Sequence, residues 1–563
     1  MRQLLEPSLE MLRRFGIDAL RPGQQRAFDA IAAGRDVLIV LPTGGGKSLC
    51  YQLPAACGAA PAIVVSPLVA LMKDQVDALH RRGIAAAQLS GAVSAAARQR
   101  AWSRLEQGEL TLLYLAPEAL AARATLDRLA SVAPPLLAID EAHCISEWGE
   151  SFRPAYLALG EVRRALAYPQ TVALTATATP RTARDIIARL ELRDPVIVSG
   201  GFDRANLRLS VRPVATAPER ASALLSLGAN APGAAIVYAP SRRETERLAA
   251  AYTRVGIAAA PFHAGLPTDE RARLQDRFQA NHLRLIVATI AFGMGVDKPD
   301  VRLVVHAAPP LTLEAYYQEA GRGGRDGAIA DCVLLLAPDD LTRAQARVAA
   351  TRVTDELVAR LTDILANATQ SRKLDGRESE VISQLARCLA AAPRDISAAL
   401  RLMSEEGLLA HSVGIGELRL LATERRLQTD RTLPDRDAEG LLRLVGGMPG
   451  VLAAPQLVTM RQLADVAPER DPRAWLHRLE SRQLAIWRPL HAPWTLVRLP
   501  PQEVLSRLVR RHETRQARDL WRQRQVARMV TSSRCRRLVL LRYFGDAGPA
   551  RACGACDRCG FTA

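Results

Sequence analysis

Pro42-Thr43-Gly44-Gly45-Gly46-Lys47-Ser48 reads as a phosphate-binding loop by composition and by position. It follows the apolar run Val37 to Leu41, which reads as a buried parallel strand, and it precedes a segment able to be helical. The glycines therefore fall where a strand turns into a helix. Backbone N–H groups freed by glycine wrap phosphates, and the helix N-terminus favours negative charge. Lys47 is placed to reach the β and γ phosphates and Ser48 to hold Mg²⁺. The loop lacks the first glycine of the full G-x-x-x-x-G-K-[ST] pattern, where Leu41 stands. A second motif, Asp140-Glu141-Ala142-His143, follows the apolar run Leu136 to Ile139. A carboxylate pair at a strand end suits Asp140 to hold Mg²⁺ through water and Glu141 to orient or deprotonate an attacking water. Either motif alone has another reading: a glycine-rich turn can be only a tight connection, and an Asp-Glu pair a solvated turn or helix cap. Their joint occurrence points to nucleotide hydrolysis.

The elements that must position these residues alternate along the chain. Strand-like runs at Val37–Leu41, Ile63–Val65, Leu110–Leu115, Leu136–Ile139 and Val172–Leu174 are separated by helical stretches. The alternation recurs at Ala235–Tyr238, Ala258–Phe262, Leu283–Ala288, Val301–His306 and Cys332–Leu336. This pattern implies two α/β domains with mainly parallel sheets. Only the first carries a phosphate loop, so the second is expected to complete that site from across a cleft. After about residue 345 the pattern turns helical. The segments Ile396 to Leu421 and Ala474 to Leu499 share a helix-strand-loop-strand plan, with Leu400, Met403 and Leu408 matching Leu476, Leu479 and Leu484 at a constant offset. Each resembles a winged helix, although any amphipathic helix followed by a hairpin gives the same signal. The polar stretch Gln370 to Gly376 reads as a linker.

A net charge of +17 asks for a polyanionic partner. There is no apolar run long enough to span a bilayer and no amphipathic anchor, which favours nucleic acid over membrane. The N-terminus lacks the apolar stretch of a secretory signal, so a cytoplasmic location is expected. Residues 501 to 563 carry 14 arginines against five carboxylates, over half of the net charge, and are the strongest electrostatic candidate, unless the basic helix there is only a solvated face. Only four lysines stand against 71 arginines. A retained lysine therefore marks a place where a compact ammonium is wanted, and Lys47, Lys73 and Lys298 all fall in motifs.

Arg21 to Gln24, Leu41 to Ser48, Ser66 to Gln75, Asp140 to Tyr156, Leu174 to Thr179, Ala288 to Asp297 and Gln318 to Gly327 resemble, in order, the motifs of RecQ-family DNA helicases over about the first 340 residues. The resemblance implies two RecA-like domains with ATP and Mg²⁺ between them, and 3′→5′ translocation on single-stranded DNA ahead of a duplex. It implies that Gln24 bonds adenine with Arg21 beside it, that Thr43, Gly44, Gly45, Gly46, Lys47 and Ser48 hold the phosphates, and that Arg322 and Arg325 act as arginine fingers. Gln318 and His143 would couple hydrolysis to domain closure. Ile17 stands where many relatives place an aromatic. Trp148, Phe152 and Arg153 lie in a loop similar to the family's aromatic-rich loop and would meet DNA, as would Ser66, Lys73, Thr289 and Met294. Here Glu147 replaces a usual Gln and Glu150-Ser151 a usual His-Asp, which adds carboxylate repulsion against phosphate.

Cys535, Cys553, Cys556 and Cys559 end the chain, the last three as Cys-x-x-Cys-x-x-Cys. Four close thiolates in a reducing compartment suit a closed structural zinc site, and an iron–sulfur cluster also uses four. The surrounding Cys535-Arg536-Arg537 and Tyr543-Phe544-Gly545-Asp546 resemble the RecQ zinc-binding subdomain, which implies Zn²⁺. The motif is displaced: about 190 residues separate it from the second domain, so the tail is expected to fold back onto that domain, and no further C-terminal domain is expected after it. The other five cysteines are expected to be small core residues.

The fold expected is α/β, with a RecA-like ATP-binding domain at 1–200, a second at 201–344, a helical, winged-helix-like region at 345–530 and a zinc subdomain at 531–563. The function expected is an ATP-dependent 3′→5′ DNA helicase of recombination and repair. Its expected partners are single-stranded and tailed duplex DNA, with single-strand-binding protein as a candidate and no membrane. A DNA translocase that does not unwind, and a DNA-binding module using its ATPase as a switch, are the competing classes.

Overall fold

The computed structural model describes residues 6–563 except 43, 68, 91–92, 147–153, 293–297, 372–377, 412–414, 422–455, 460–461, 464–475, 477–478, 480–483, 490–493, 549–551 and 561–563. Residues 1–346 and 518–563 form one compact unit and 347–517 a second.

The first unit holds two parallel sheets. Strands β1 (Val37–Val40), β2 (Ala62–Val65), β3 (Ala86–Leu89), β4 (Leu112–Leu115), β5 (Leu136–Ile139), β6 (Gln170–Thr175) and β7 (Val196–Ser199) run in the order β3-β4-β2-β5-β6-β1-β7. Four of these, β1, β2, β4 and β5, are buried at every position. Burial on both faces is why they read as unbroken apolar runs rather than alternating ones. The register fixes the site. β6 lies between β1 and β5, pairing Val40 with Thr175 and Ile139 with Ala173. Three adjacent strands therefore end side by side. The loops leaving β5, β6 and β1 converge on one edge, the carboxyl edge where open α/β sheets bind ligands.

The second sheet comprises β8 (Leu207–Pro213), β9 (Ala234–Tyr238), β10 (Ala259–Phe262), β11 (Leu285–Ala288), β12 (Val301–His306) and β13 (Ala330–Leu336), in the order β10-β11-β9-β12-β13-β8. Between β12 and β13 runs the helix Leu313–Ala320, whose N-terminus Thr312 caps by accepting from Ala315 N at 3.0 Å. The sequence pattern omitted β3, β7 and β8. β3 is Ala-rich, β7 offers only the short run Val196 to Val198 after Pro195, and β8 alternates apolar with polar residues, so their strand signal is weak.

The tail returns to the second sheet, at β8. Leu209 N donates to Ala555 O at 3.0 Å and Asp557 N to Leu209 O at 3.1 Å, so Cys556 bridges Leu209 in parallel beside the β8 edge. Phe544 stacks on Phe202 at 4.5 Å between centroids.

The second unit contains the helices Asp355–Ser371, Glu378–Leu389 and Pro393–Glu405 and the strands β14 (Leu409–His411), β15 (Ile415–Leu420), β16 (Gln456–Thr459), β17 (Ala485–Pro489) and β18 (Trp494–Leu496). The two winged-helix-like segments do not each form their own hairpin. β14 pairs with β18 and β15 with β17, so strands of one segment pair with strands of the other. The reason is in the core: Leu408, Leu409 and Trp494 are buried in one cluster with Leu400 and Met403, and β18 packs against the helix Asp355–Ser371. The expected linker 370–376 falls mostly outside the described residues.

Candidate nucleotide site and metal centre

The phosphate loop leaves β1 and enters the helix Leu49–Ala56 at Ser48. Gly44 and Gly46 have φ of +81° and +74°, which only glycine adopts without strain. Space imposes the same choice. A Cβ at Gly46 would lie 2.3 Å from Gln24 Nε2, and one at Gly45 would lie 2.8 Å from Pro42 O. Gln24 and Arg21 sit against this loop: Gln24 Nε2 approaches the carbonyls of Gly45 and Gly46, each at 3.4 Å, and Arg21 Nη1 approaches that of Gly44 at 3.4 Å. Lys47 Nζ donates to Leu41 O at 3.2 Å. Burial pulls the Lys47 ammonium below its usual range, against the pull of Glu141 and Asp140, and nearby Arg325 adds to the lowering. The cradle fits a polyphosphate.

Asp140 and Glu141 follow β5. Burial and the Glu141 charge push the Asp140 carboxyl up to about 7, the environment of an oxygen ligand set that a divalent cation would neutralise. Tyr156 OH donates to Asp140 O at 2.9 Å and fixes the strand end. Glu141 takes φ +47°. Its carboxyl is held low: burial opposes the charge, but His143, Lys47 and Arg322 outweigh it. Burial likewise opposes charge on His143, and Cys144 and Glu141 outweigh it.

From Glu141 a line of contacts crosses to the second sheet. His143 Nδ1 lies 3.2 Å from Glu141 Oε2 and 3.0 Å from Thr175 Oγ1. Thr177 N donates to Thr175 Oγ1 at 3.2 Å, and Gln318 Nε2 donates to Thr177 Oγ1 at 3.1 Å. Arg322 and Arg325 follow Gln318 in the turn after the helix Leu313–Ala320. Arg322 is buried, and Arg325 Cγ lies 3.9 Å from where a Cβ of Gly44 would stand. Thr175 and Thr177 belong to the Leu174 to Thr179 motif but were not among the expected site residues. Their role depends on which strand neighbours β5, which spacing does not reveal.

The expected DNA contacts are placed unevenly. Ser66 is 2% exposed, so its side chain offers no open surface. Lys73 is exposed and paired with Asp77 at 2.6 Å. Thr289 follows β11, and Ala291 N approaches its Oγ1 at 3.4 Å. Thr43, Trp148, Phe152, Arg153 and Met294, with Glu147, Glu150 and Ser151, lie outside the described residues.

In the tail, the four Sγ atoms of Cys535, Cys553, Cys556 and Cys559 lie within 4.8 Å of one another, and Cys556 Sγ is 3.9 Å from Cys535 Sγ. Thiolates about 2.3 Å from a tetrahedral ion sit about 3.8 Å apart, so the donor set fits zinc. Leu538 N and Ala555 N approach the sulfurs of Cys535 and Cys553 at 3.5 and 3.4 Å. Arg536, almost fully buried, forks onto Asp557 with two bonds of 3.0 Å. Among the remaining cysteines Cys50, Cys57, Cys144 and Cys332 are buried as expected; Cys388 is exposed, a correction, since it lies on the outer face of the helix Glu378–Leu389. The tail's charge is likewise partly structural, with Arg536 and Arg537 both buried. Arg528, Arg534 and Arg542 instead line a groove of about 370 Å³ with Trp521 and Tyr543.

The family model for DEAD/DEAH box helicases matches residues 21–186, that for the helicase conserved C-terminal domain 219–327, and that for RecQ zinc-binding 502–560. Over 353 residues the chain is 42% identical to the probable ATP-dependent DNA helicase RecS of Bacillus subtilis (strain 168), covering 62% of this chain and 71% of that protein. The chain belongs to the RecQ family. A second RecQ relative, the ATP-dependent DNA helicase RecQ of Pasteurella multocida (strain Pm70), is 40% identical over 338 residues, 60% of this chain and 53% of its own length. The chain thus spans about half the length of that relative. The crystal structure of the DUF1998 helicase MrfA bound to DNA shares the fold, with a TM-score of 0.52 at 20% identity over 72% of this chain and 61% of that one. Among the described residues of this RecQ-family chain no helix is long and apolar enough to cross a membrane.

Proposed function

We propose that the chain is an ATP-dependent 3′→5′ DNA helicase that translocates on single-stranded DNA and separates duplexes in recombination and repair. The observation that carries the reading is the line Glu141–His143–Thr175–Thr177–Gln318, which ties a hydrolytic carboxylate to the opposite sheet. A site that closes through such contacts moves one sheet against the other once per hydrolysis cycle, and that motion can advance a strand.

In this reading Lys47 and the loop amides hold the β and γ phosphates, with Arg21 and Gln24 at the base side. Mg²⁺, held through Ser48 and Asp140, would supply charge neutralisation at the phosphates. Glu141 orients the attacking water and accepts its proton, and the positive field of His143, Lys47 and Arg322 keeps the carboxylate ionised ahead of that step. Arg322 and Arg325 stabilise charge on the transferring phosphoryl group from the second sheet. Zn²⁺ on the four tail cysteines is structural. Family membership supports DNA as the track and 3′→5′ as the direction, and the groove of Trp521, Tyr543 and three arginines supports a second contact for a nucleic-acid strand through stacking and phosphate pairing. Single-strand-binding protein remains a candidate partner, in a cytoplasmic setting that keeps the thiols reduced.

Hydrolysis of ATP measured with and without single-stranded DNA tests the reading. The wild type is expected to be stimulated by DNA, and Glu141→Gln to bind ATP while losing hydrolysis by about 10²-fold or more. Hydrolysis by Glu141→Gln at the wild-type rate would refute the assigned chemistry.

A further inference from the structure

The segment 200–206 that joins β7 to β8 is more than a connection. Arg204 Nη1 donates to Gly321 O at 3.2 Å, and its Nη2 donates to Gly323 O at 2.9 Å and Gly324 O at 3.1 Å. Asn206 Nδ2 donates to Gly324 O at 2.7 Å and Ala328 O at 2.8 Å. These acceptors are the backbone of the turn that carries Arg322 and Arg325. Gly324 has φ +53°, and a Cβ there would meet Ala328 O at 2.2 Å and Asn206 Nδ2 at 2.4 Å, so the turn can lie this close only as glycine.

The opposite side of the segment is held by the tail. Arg537 Nη2 donates to the carbonyls of Arg204, Ala205 and Leu207 at 3.2, 3.1 and 2.8 Å, and its Nε lies 3.4 Å from Asp203 Oδ1. Phe202 N donates to Asp546 Oδ2 at 3.0 Å. The segment is thus clasped between the arginine-bearing turn and the helix Arg536–Tyr543, which begins at a metal-site cysteine, Cys535.

We infer that Arg204 and Asn206 are positioning residues for the arginine fingers, seating the Gly321–Arg325 turn so that Arg322 and Arg325 face the phosphate loop. This rests on the proposed reading of the nucleotide site. An arginine that must reach a transferring phosphoryl group is sensitive to small displacements: misplacement by about 1 Å costs about 10²-fold in rate. Arg204 spreads its donors over three carbonyls, and a lysine in its place has no such planar fork.

The test is a double-mutant cycle in the full-length, zinc-loaded protein, with steady-state hydrolysis of ATP at saturating single-stranded DNA. Arg204→Ala is expected to lower kcat by about 10- to 100-fold with KM for ATP changed by less than about threefold. Arg204→Lys is expected to recover little of this. In an Arg322→Ala/Arg325→Ala background Arg204→Ala should cost almost nothing further, because both groups it positions are gone. Equal losses in both backgrounds, or an unchanged kcat, would overturn the inference. Asn206→Asp, which keeps the shape and puts an acceptor where a donor stands, serves if Arg204→Ala does not fold and is expected to show the same non-additivity. Amide hydrogen exchange separates this inference from the reading beneath it. Loss of protection confined to 321–328 in these variants supports the seat even if the wild type proves inactive, and unchanged protection there overturns it even if hydrolysis is strong.

Discussion

Gln318 Nε2 donates to Thr177 Oγ1 at 3.1 Å, and this bond joins the helix that leads into Arg322 and Arg325 to the loop that follows β6. Thr177 in turn bonds Thr175, and Thr175 touches His143, the neighbour of Glu141. One side chain of the helix between β12 and β13 is therefore linked through a short run of contacts to Glu141, the carboxylate proposed to act on water.

Removing that bond should weaken coupling more than binding. Gln318→Ala is expected to reduce stimulation of ATP hydrolysis by single-stranded DNA by about fivefold, in line with about 1 kcal/mol of coupling, while KM for ATP stays within about twofold. Thr177→Val should do the same. Stimulation at the wild-type ratio in both variants would show that the bond does not transmit closure.

The fork of Arg536 onto Asp557 is a separate matter, one of stability. Arg536 is 1% exposed, so taking away its partner leaves a buried unpaired charge. Asp557→Ala is expected to cost about 3–5 kcal/mol in the unfolding free energy of the first unit, read from denaturant melts followed by tryptophan fluorescence. A shift below about 1 kcal/mol would mean that solvent reaches Arg536.

Zinc removal should act on the same region. Metal binding to Cys535, Cys553, Cys556 and Cys559 is also folding free energy for the tail, and Ala555 and Asp557 pair with β8 beside it. Cys556→Ser is expected to purify with little zinc and to expose 535–560 to limited proteolysis. Full metal content in that variant would show that the cysteines do not form one site.

Much of the candidate nucleotide site was legible from sequence because its parts are local: glycines, Lys47 and Ser48 are consecutive, and Asp140-Glu141 directly ends an apolar run. The cysteines were legible for the same reason. The parts that stayed hidden depend on who neighbours whom in space. Thr175 and Thr177 matter because β6 lies between β5 and β1, and Arg204 because the segment before β8 passes under the Gly321–Arg325 turn. β8 itself alternates apolar and polar residues. The exchange of β14 with β18 escaped for a similar reason, since a short strand carries no mark of its distant partner.

Hydrolysis at Lys47 and Glu141 is expected to drive strand separation with one polarity. Duplexes bearing a 3′ or a 5′ single-stranded tail, incubated with ATP and the wild-type chain or Lys47→Ala, test it most directly. The expected result is separation of the 3′-tailed duplex alone, abolished in Lys47→Ala although that variant still binds the DNA. Hydrolysis stimulated by DNA with no separation of either duplex, or separation that survives Lys47→Ala, would contradict it.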